Sequence, residues 1–223
     1  MNSRFNSNKA VDKISGFISR KAKILIAVLA VAIIGVTAFA IYTHVKNANK
    51  VAGLESVAKI QNDLYEGYST LSKEDQAARR EQAISKLGEY TSKSAVVGVR
   101  ANMLAAEISL MGEDQAAAAS YYAQACDKDS SSYTYGLCAF NAAVCYENAG
   151  ESEKALEYYS KSANDSNSIL KSHAKFSVGR LYESQNKIED AVNAYSSLYN
   201  DMDENVTDEW VLLAKSRLLA LGK

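Results

Sequence analysis

The chain has 223 residues, 48% apolar and 23% charged, enough for one membrane segment and one compact domain. It contains no proline, which excludes Pro-rich linkers and polyproline ligand motifs. Its two histidines, His44 and His173, are too few for a histidine-built metal centre or a histidine-base triad.

The net charge of −1 hides a step along the chain. In the first 23 residues Arg4, Lys9, Lys13, Arg20, Lys21 and Lys23 face only Asp12, a net +5 that leaves −6 for the rest. Between these parts, Ile24 to Tyr42 is a run of 19 uncharged, mostly apolar residues. As a helix at ~1.5 Å per residue it spans the hydrocarbon of a bilayer. The expected layout is a basic tail at 1–23, a transmembrane anchor at 24–43, a linker at 44–53 and a helical domain at 54–223. The positive-inside rule keeps the tail in the cytoplasm and places the domain across the membrane. A cleaved signal peptide is the competing reading, because Ala38-Phe39-Ala40 has small residues at processing positions. The long tail and long apolar run favour an uncleaved anchor. The loose helical spacing of Phe5, Ile14, Phe17 and Ile18 fits a surface-lying helix, and a plain topogenic tail accounts for it more simply.

Downstream, apolar residues recur at i, i+3, i+4 and i+7, and no strand-type alternation interrupts them. Leu54, Val57, Ala58, Gln61, Leu64, Tyr65, Tyr68 and Leu71 mark a first helix. Ser72 and Asp75 supply the cap and early acid of a second, which runs to Tyr90. A repeat then appears around turn residues Gly112, Gly150 and Asn186. Small residues Ala105, Ala143 and Gly179 lie seven before the turn, and bulky Ile108, Tyr146 and Tyr182 four before it. After it come Ala118, Ala155 and Ala191, then Tyr122, Tyr159 and Tyr195. Small residues let antiparallel helices approach closely while the aromatics fill space to the next pair.

At these residues, most clearly from Phe140 to Ala163 and from Ala174 to Tyr195, the chain resembles the tetratricopeptide repeat (TPR). It departs in lacking the closing proline and opening tryptophan, and its spacing exceeds the usual ~34 residues. Polar clusters at 127–132 and 164–168 stand where the proline would be. The expectation is an all-α chain: a transmembrane helix, then a TPR-like α-solenoid of about four hairpins, with Leu54–Tyr90 the first. A capping helix from Asp208 to Leu221 presents Trp210, Leu213, Ala214, Leu218 and Leu219 on one face. The layout is similar to the YfgM-like family of single-pass periplasmic TPR proteins. That resemblance implies work near the SecYEG translocon in the bacterial inner membrane, with the translocon or translocated clients as partners. Outer-membrane assembly and cell-division helpers share the same repeat grammar, and a self-associating envelope scaffold is the structural alternative.

The TPR resemblance implies that the first helices of successive hairpins line a peptide-gripping groove. Carried over residue by residue, this places Asn102, Ser109, Phe140, Val144, Glu147, Asn148, His173, Phe176, Arg180 and Glu183 on that surface. Phe140 and Phe176 suit either peptide anchoring or packing between hairpins. His173 reads more simply as a solvated surface residue. Tyr133 and Tyr135 fall in a loop. Cys138 and Cys145 are too far apart along one helix to bond. Cys126 and Cys138 can meet as a disulfide in an oxidising compartment, against a simpler reading of all three cysteines as buried thiols. The acids from Asp201 to Glu209 lack the register of a calcium loop and read as a solvated segment. No titratable cluster has catalytic spacing, so neither enzyme activity, cofactor nor metal is expected. The acidic domain argues against a nucleic-acid partner.

Overall fold

The computed structural model describes residues 4–93, 95–200 and 208–223; the acids from 201 to 207 lie outside them. The described residues form α1 (Arg4–Tyr65), a 3-10 turn (Tyr68–Thr70), α2 (Lys73–Thr91), α3 (Ala95–Met111), α4 (Gln115–Lys128), α5 (Tyr135–Asn148), α6 (Ser152–Asn164), α7 (Lys171–Ser184), α8 (Ile188–Asn200) and α9 (Glu209–Ala220). The chain divides into two compact units, Met1–Val51 and Ala52–Lys223.

The first unit is helical from Arg4, and residues 44–51 continue α1. Every side chain from Ile24 to Tyr42 is exposed. Its hydroxyls turn inward on the backbone: Thr37 donates to the Ile33 and Ile34 carbonyls, each at 2.9 Å, and Thr43 to Ala40 at 2.9 Å. Such back-bonding satisfies a polar group that hydrocarbon would leave bare. Among the described residues this is one helix long and apolar enough to cross a membrane.

The second unit opens with the end of α1, whose Val57, Ile60 and Leu64 are buried with Ala83 and Leu87 of α2 and Leu104 and Ile108 of α3. The first helix ends at Tyr65, earlier than the Leu71 its periodicity suggests. Gly67 adopts φ +62°, a left-handed conformation glycine takes without penalty, and turns the chain into α2. The Ser72 side chain accepts from the Asp75 N–H at 3.1 Å, as its cap position requires.

Three further hairpins follow, α3/α4, α5/α6 and α7/α8, each packed on its neighbours, with α9 against α7 and α8. All three close by the same backbone bond five residues long. Asp114 N–H reaches the Ser109 carbonyl at 3.0 Å, Glu151 reaches Tyr146 at 2.8 Å and Lys187 reaches Tyr182 at 2.9 Å. The left-handed residue before each donor is Glu113 (φ +62°), Gly150 (φ +80°) and Asn186 (φ +58°). The first turn is therefore pinned by Glu113, one residue beyond Gly112. The corrected register aligns Ala106 with Ala143 and Gly179, the last of which lies against the Tyr195 ring of the following helix. On α9, Val211 and Leu221 turn inward in place of the expected Leu213 and Leu219, which are exposed.

Where the proline would be, aspartates order the connections between hairpins. Asp129 Oδ1 accepts from the Ser131 N–H and Asp165 Oδ1 from the Asn167 N–H, each at 3.0 Å. Asp165 Oδ2 also accepts from the Gly136 N–H at 3.0 Å, tying this loop to the start of α5.

Candidate protein-interaction face

The first helices of the hairpins, α3, α5 and α7, carry the residues expected to line a groove. The structure turns several of them to packing. Asn102 is fully buried; its Nδ2 donates to the Thr91 and Gly98 carbonyls at 2.9 and 2.8 Å, bracing the end of α2 against α3. Ser109 is half-buried and donates to the Ala105 carbonyl at 2.9 Å. Val144 packs partly against the central core, and Asn148 is exposed.

The aromatic residues form a stack rather than open anchors. Phe140 is buried, with its ring edge-on to Tyr159 at 5.3 Å and tilted against His173 at 4.5 Å. His173 stacks flat on Trp210 of α9 at 3.6 Å, and Phe176 contacts Tyr195 at 5.5 Å and Trp210 at 5.6 Å. Both phenylalanines therefore take the packing role. His173 is half-buried and sandwiched, not solvated. Burial, with Arg180 nearby, holds its imidazole below the ordinary histidine range, while Glu209 opposes them.

The charged members pair with one another. Arg180 of α7 bonds Glu147 of α5 through both guanidinium nitrogens at 2.6 and 2.7 Å. Tyr159 of α6 donates its hydroxyl to the same carboxylate at 3.0 Å. One hairpin further on the motif recurs: Tyr195 of α8 donates to Glu183 of α7 at 3.1 Å. Arg217 of α9 donates through Nε to Glu183 at 3.2 Å and also through its terminal nitrogen. These charge-assisted bonds hold both carboxyls below their usual range, Arg180 being the main cause at Glu147 and Arg217 at Glu183.

Each clamp thus joins a tyrosine and glutamate of one hairpin to an arginine of the next helix. Arg217 escaped the sequence reading, and Trp210, placed there on the capping helix, was given no part in the groove. The signal was present, since Glu147 and Glu183 lie 36 residues apart and Arg180 and Arg217 lie 37 apart. Of the residues expected to line the groove, Asn148 and Arg180 are exposed and Glu147 is half-buried.

The three cysteines are buried free thiols. Cys126 Sγ points at the Tyr135 carbonyl at 4.0 Å. Burial pushes Cys138 up to about 12 and Cys126 and Cys145 up to about 11, so their reactive thiolate forms are suppressed at neutral pH. Tyr135 begins α5 half-buried, while Tyr133 is fully in solvent. Among the described residues no group of three or more His, Cys, Asp or Glu side chains converges as a metal site.

Comparison with curated proteins returns no match. A family model described as a tetratricopeptide repeat-like domain matches residues 16–222, nearly the whole chain and including the apolar segment. Helical-repeat domains of this kind present extended surfaces for protein–protein interaction. The hairpin order, the repeated closing turn and this match agree: the chain belongs to the tetratricopeptide repeat-like domain family.

Proposed function

We propose that this protein is a membrane-anchored interaction module that engages other proteins on the extracytoplasmic face of a bacterial inner membrane. The observation that carries this reading is the charge step across Ile24–Tyr42, from +5 before the segment to −6 after it. The segment's full exposure and the family match beginning upstream of it support an uncleaved anchor. In this reading residues 1–23 are cytoplasmic, 24–43 span the bilayer, 44–53 connect, and 54–223 form the interaction domain. The resemblance to YfgM-like proteins favours ancillary work at the SecYEG translocon, of a periplasmic chaperone kind. Partners are proteins, and the module acts by binding, without catalysis or cofactor.

The contact surface centres on Asn148 and the Glu147–Arg180 pair, whose side chains border the α5–α7 joint without being buried in it. A photo-crosslinking residue placed at Asn148 in the full chain, expressed in membranes, is expected to trap translocon subunits or translocating clients. Adducts with cytoplasmic proteins alone, or none above a site on α4, would contradict the reading.

A further inference from the structure

Lys46 and Lys50 run against the charge step. From Thr43 to Leu54 the chain carries these two lysines and no acid, a local net +2 just past the apolar segment. Basic residues there weaken the bias that orients an anchor, because that bias compares the Lys and Arg flanking its two ends. Their own helix does not neutralise them. No Asp or Glu occurs from Lys13 to Leu54, so no acid stands three or four residues from either lysine. Both are exposed, as are Tyr42 and Asn49.

Tyr42, Lys46 and Lys50 recur every four residues and so share one side of α1 over successive turns, while His44 lies on the other side. At ~1.5 Å per residue, Lys46 stands ~6 Å and Lys50 ~12 Å along the helix from Tyr42. Hydrocarbon gives way there to a headgroup layer ~5–8 Å deep. The Cα–Cβ bonds of a helix tilt toward its N-terminus, so side chains beyond the C-terminal end of a span lean back to the membrane. Lys46 shows this lean: its Nζ lies over the Tyr42 ring, one turn back, at 6.0 Å from the ring centroid. The same tilt brings the Lys50 ammonium back toward the headgroup layer.

We propose that Tyr42, Lys46 and Lys50 form a binding stripe for the headgroup of an anionic phospholipid in the extracytoplasmic leaflet. Tyr42 seats the Lys46 ammonium at phosphate depth, and Lys50 meets the same headgroup from the aqueous side. Charge selects the lipid, since a zwitterionic headgroup carries its own ammonium beside the phosphate. The stripe rests on the anchor reading, because only an inserted Ile24–Tyr42 brings it to that depth.

The test uses the full chain in vesicles of phosphatidylcholine and phosphatidylglycerol in equal amounts. A photo-crosslinking residue replaces Asn49, on the same side as Tyr42 and Lys46, and mass spectrometry identifies the lipid adducts. An anionic surface attracts each lysine by about fivefold, so phosphatidylglycerol adducts should exceed phosphatidylcholine adducts at least about fivefold. Lys46→Gln with Lys50→Gln should bring the ratio near one, and Lys46→Arg with Lys50→Arg should keep it. Equal capture of the two lipids, a preference that survives the glutamine variant, its loss in the arginine variant, or adducts with protein alone would each overturn the proposal. An alkaline wash of the same vesicles reports the anchor separately. Chain that stays inserted without lipid preference counts against the stripe alone, and chain that washes off overturns anchor and stripe together.

Discussion

The joint between the α3/α4 and α5/α6 hairpins and the two joints that follow it are built on one backbone pattern with different chemistry. At the later joints a tyrosine, a glutamate and an arginine from successive helices form a clamp, Tyr159–Glu147–Arg180 and then Tyr195–Glu183–Arg217. At the earlier joint the positions of glutamate and arginine hold Leu110 and Val144, both half-buried against the central core. The small residue seven before the turn also changes, from Ala106 and Ala143 to Gly179, which lies against the Tyr195 ring. The earlier joint thus puts apolar area, which pH and salt scarcely touch, where the later two place directional, titratable bonds that fix how each hairpin is set against the next.

The comparison breaks most sharply at Gly179. Gly179→Leu drives a branched side chain into the fully buried Tyr195 ring and should cost more than the ~1–3 kcal/mol typical of overpacking, while Ala143→Gly should cost only about 1 kcal/mol; chemical denaturation of both variants measures the gap. Next comes Trp210→Ala. Removing this half-buried ring from the His173 stack should cost about 2 kcal/mol, less than truncating a fully buried tryptophan, and should raise hydrogen exchange in α9 ahead of α3 and α4.

Acid supplies a further separation. Glu147 and Glu183 are held low in the fold, so their contribution is full above the ordinary carboxylate range, begins to fall there and is lost as pH drops on through their lower folded values. His173 is also held low, so the unfolded chain protonates first as pH drops past its ordinary value of 6.5, and the fold begins to weaken there. Exchange protection at pH 4 should therefore fall in α7–α9 and persist in α3–α4; an equal fall in both halves would erase the distinction. A double-mutant cycle of Glu147→Gln and Arg180→Met should show coupling of about 0.5–1 kcal/mol, since both side chains meet solvent. The smallest effect is a gain: Glu113→Gly relieves a left-handed glutamate and should stabilise the first turn by about 0.5–1 kcal/mol, whereas Gly150→Ala should destabilise its counterpart.

The hairpin plan was readable because it rests on local periodicity and caps. Ser72, Asp114 and Asp208 begin their helices as short polar residues should, and the alanine–tyrosine alternation follows from what two closely packed helices require. The turn at Glu113 misled because a neighbouring glycine is the expected left-handed residue, while here the five-residue closing bond decides. The groove was less legible. Side-chain type does not reveal whether Phe140, His173 or Arg180 faces a ligand or the next hairpin, because that depends on how α9 seats against α7. Asn102 was out of reach for a different reason: its partners are backbone carbonyls, of Thr91 at the end of α2 and of Gly98 one turn earlier in α3.

The central claim, an interaction domain carried outside the inner membrane on an uncleaved anchor, is tested most directly by protease treatment of intact spheroplasts expressing the full chain. The account predicts that added protease digests the domain while a cytoplasmic marker survives, leaving a membrane-held fragment that retains the N-terminal tail. A domain protected until the membrane is opened, or a mature chain that begins after Ala40, would contradict it.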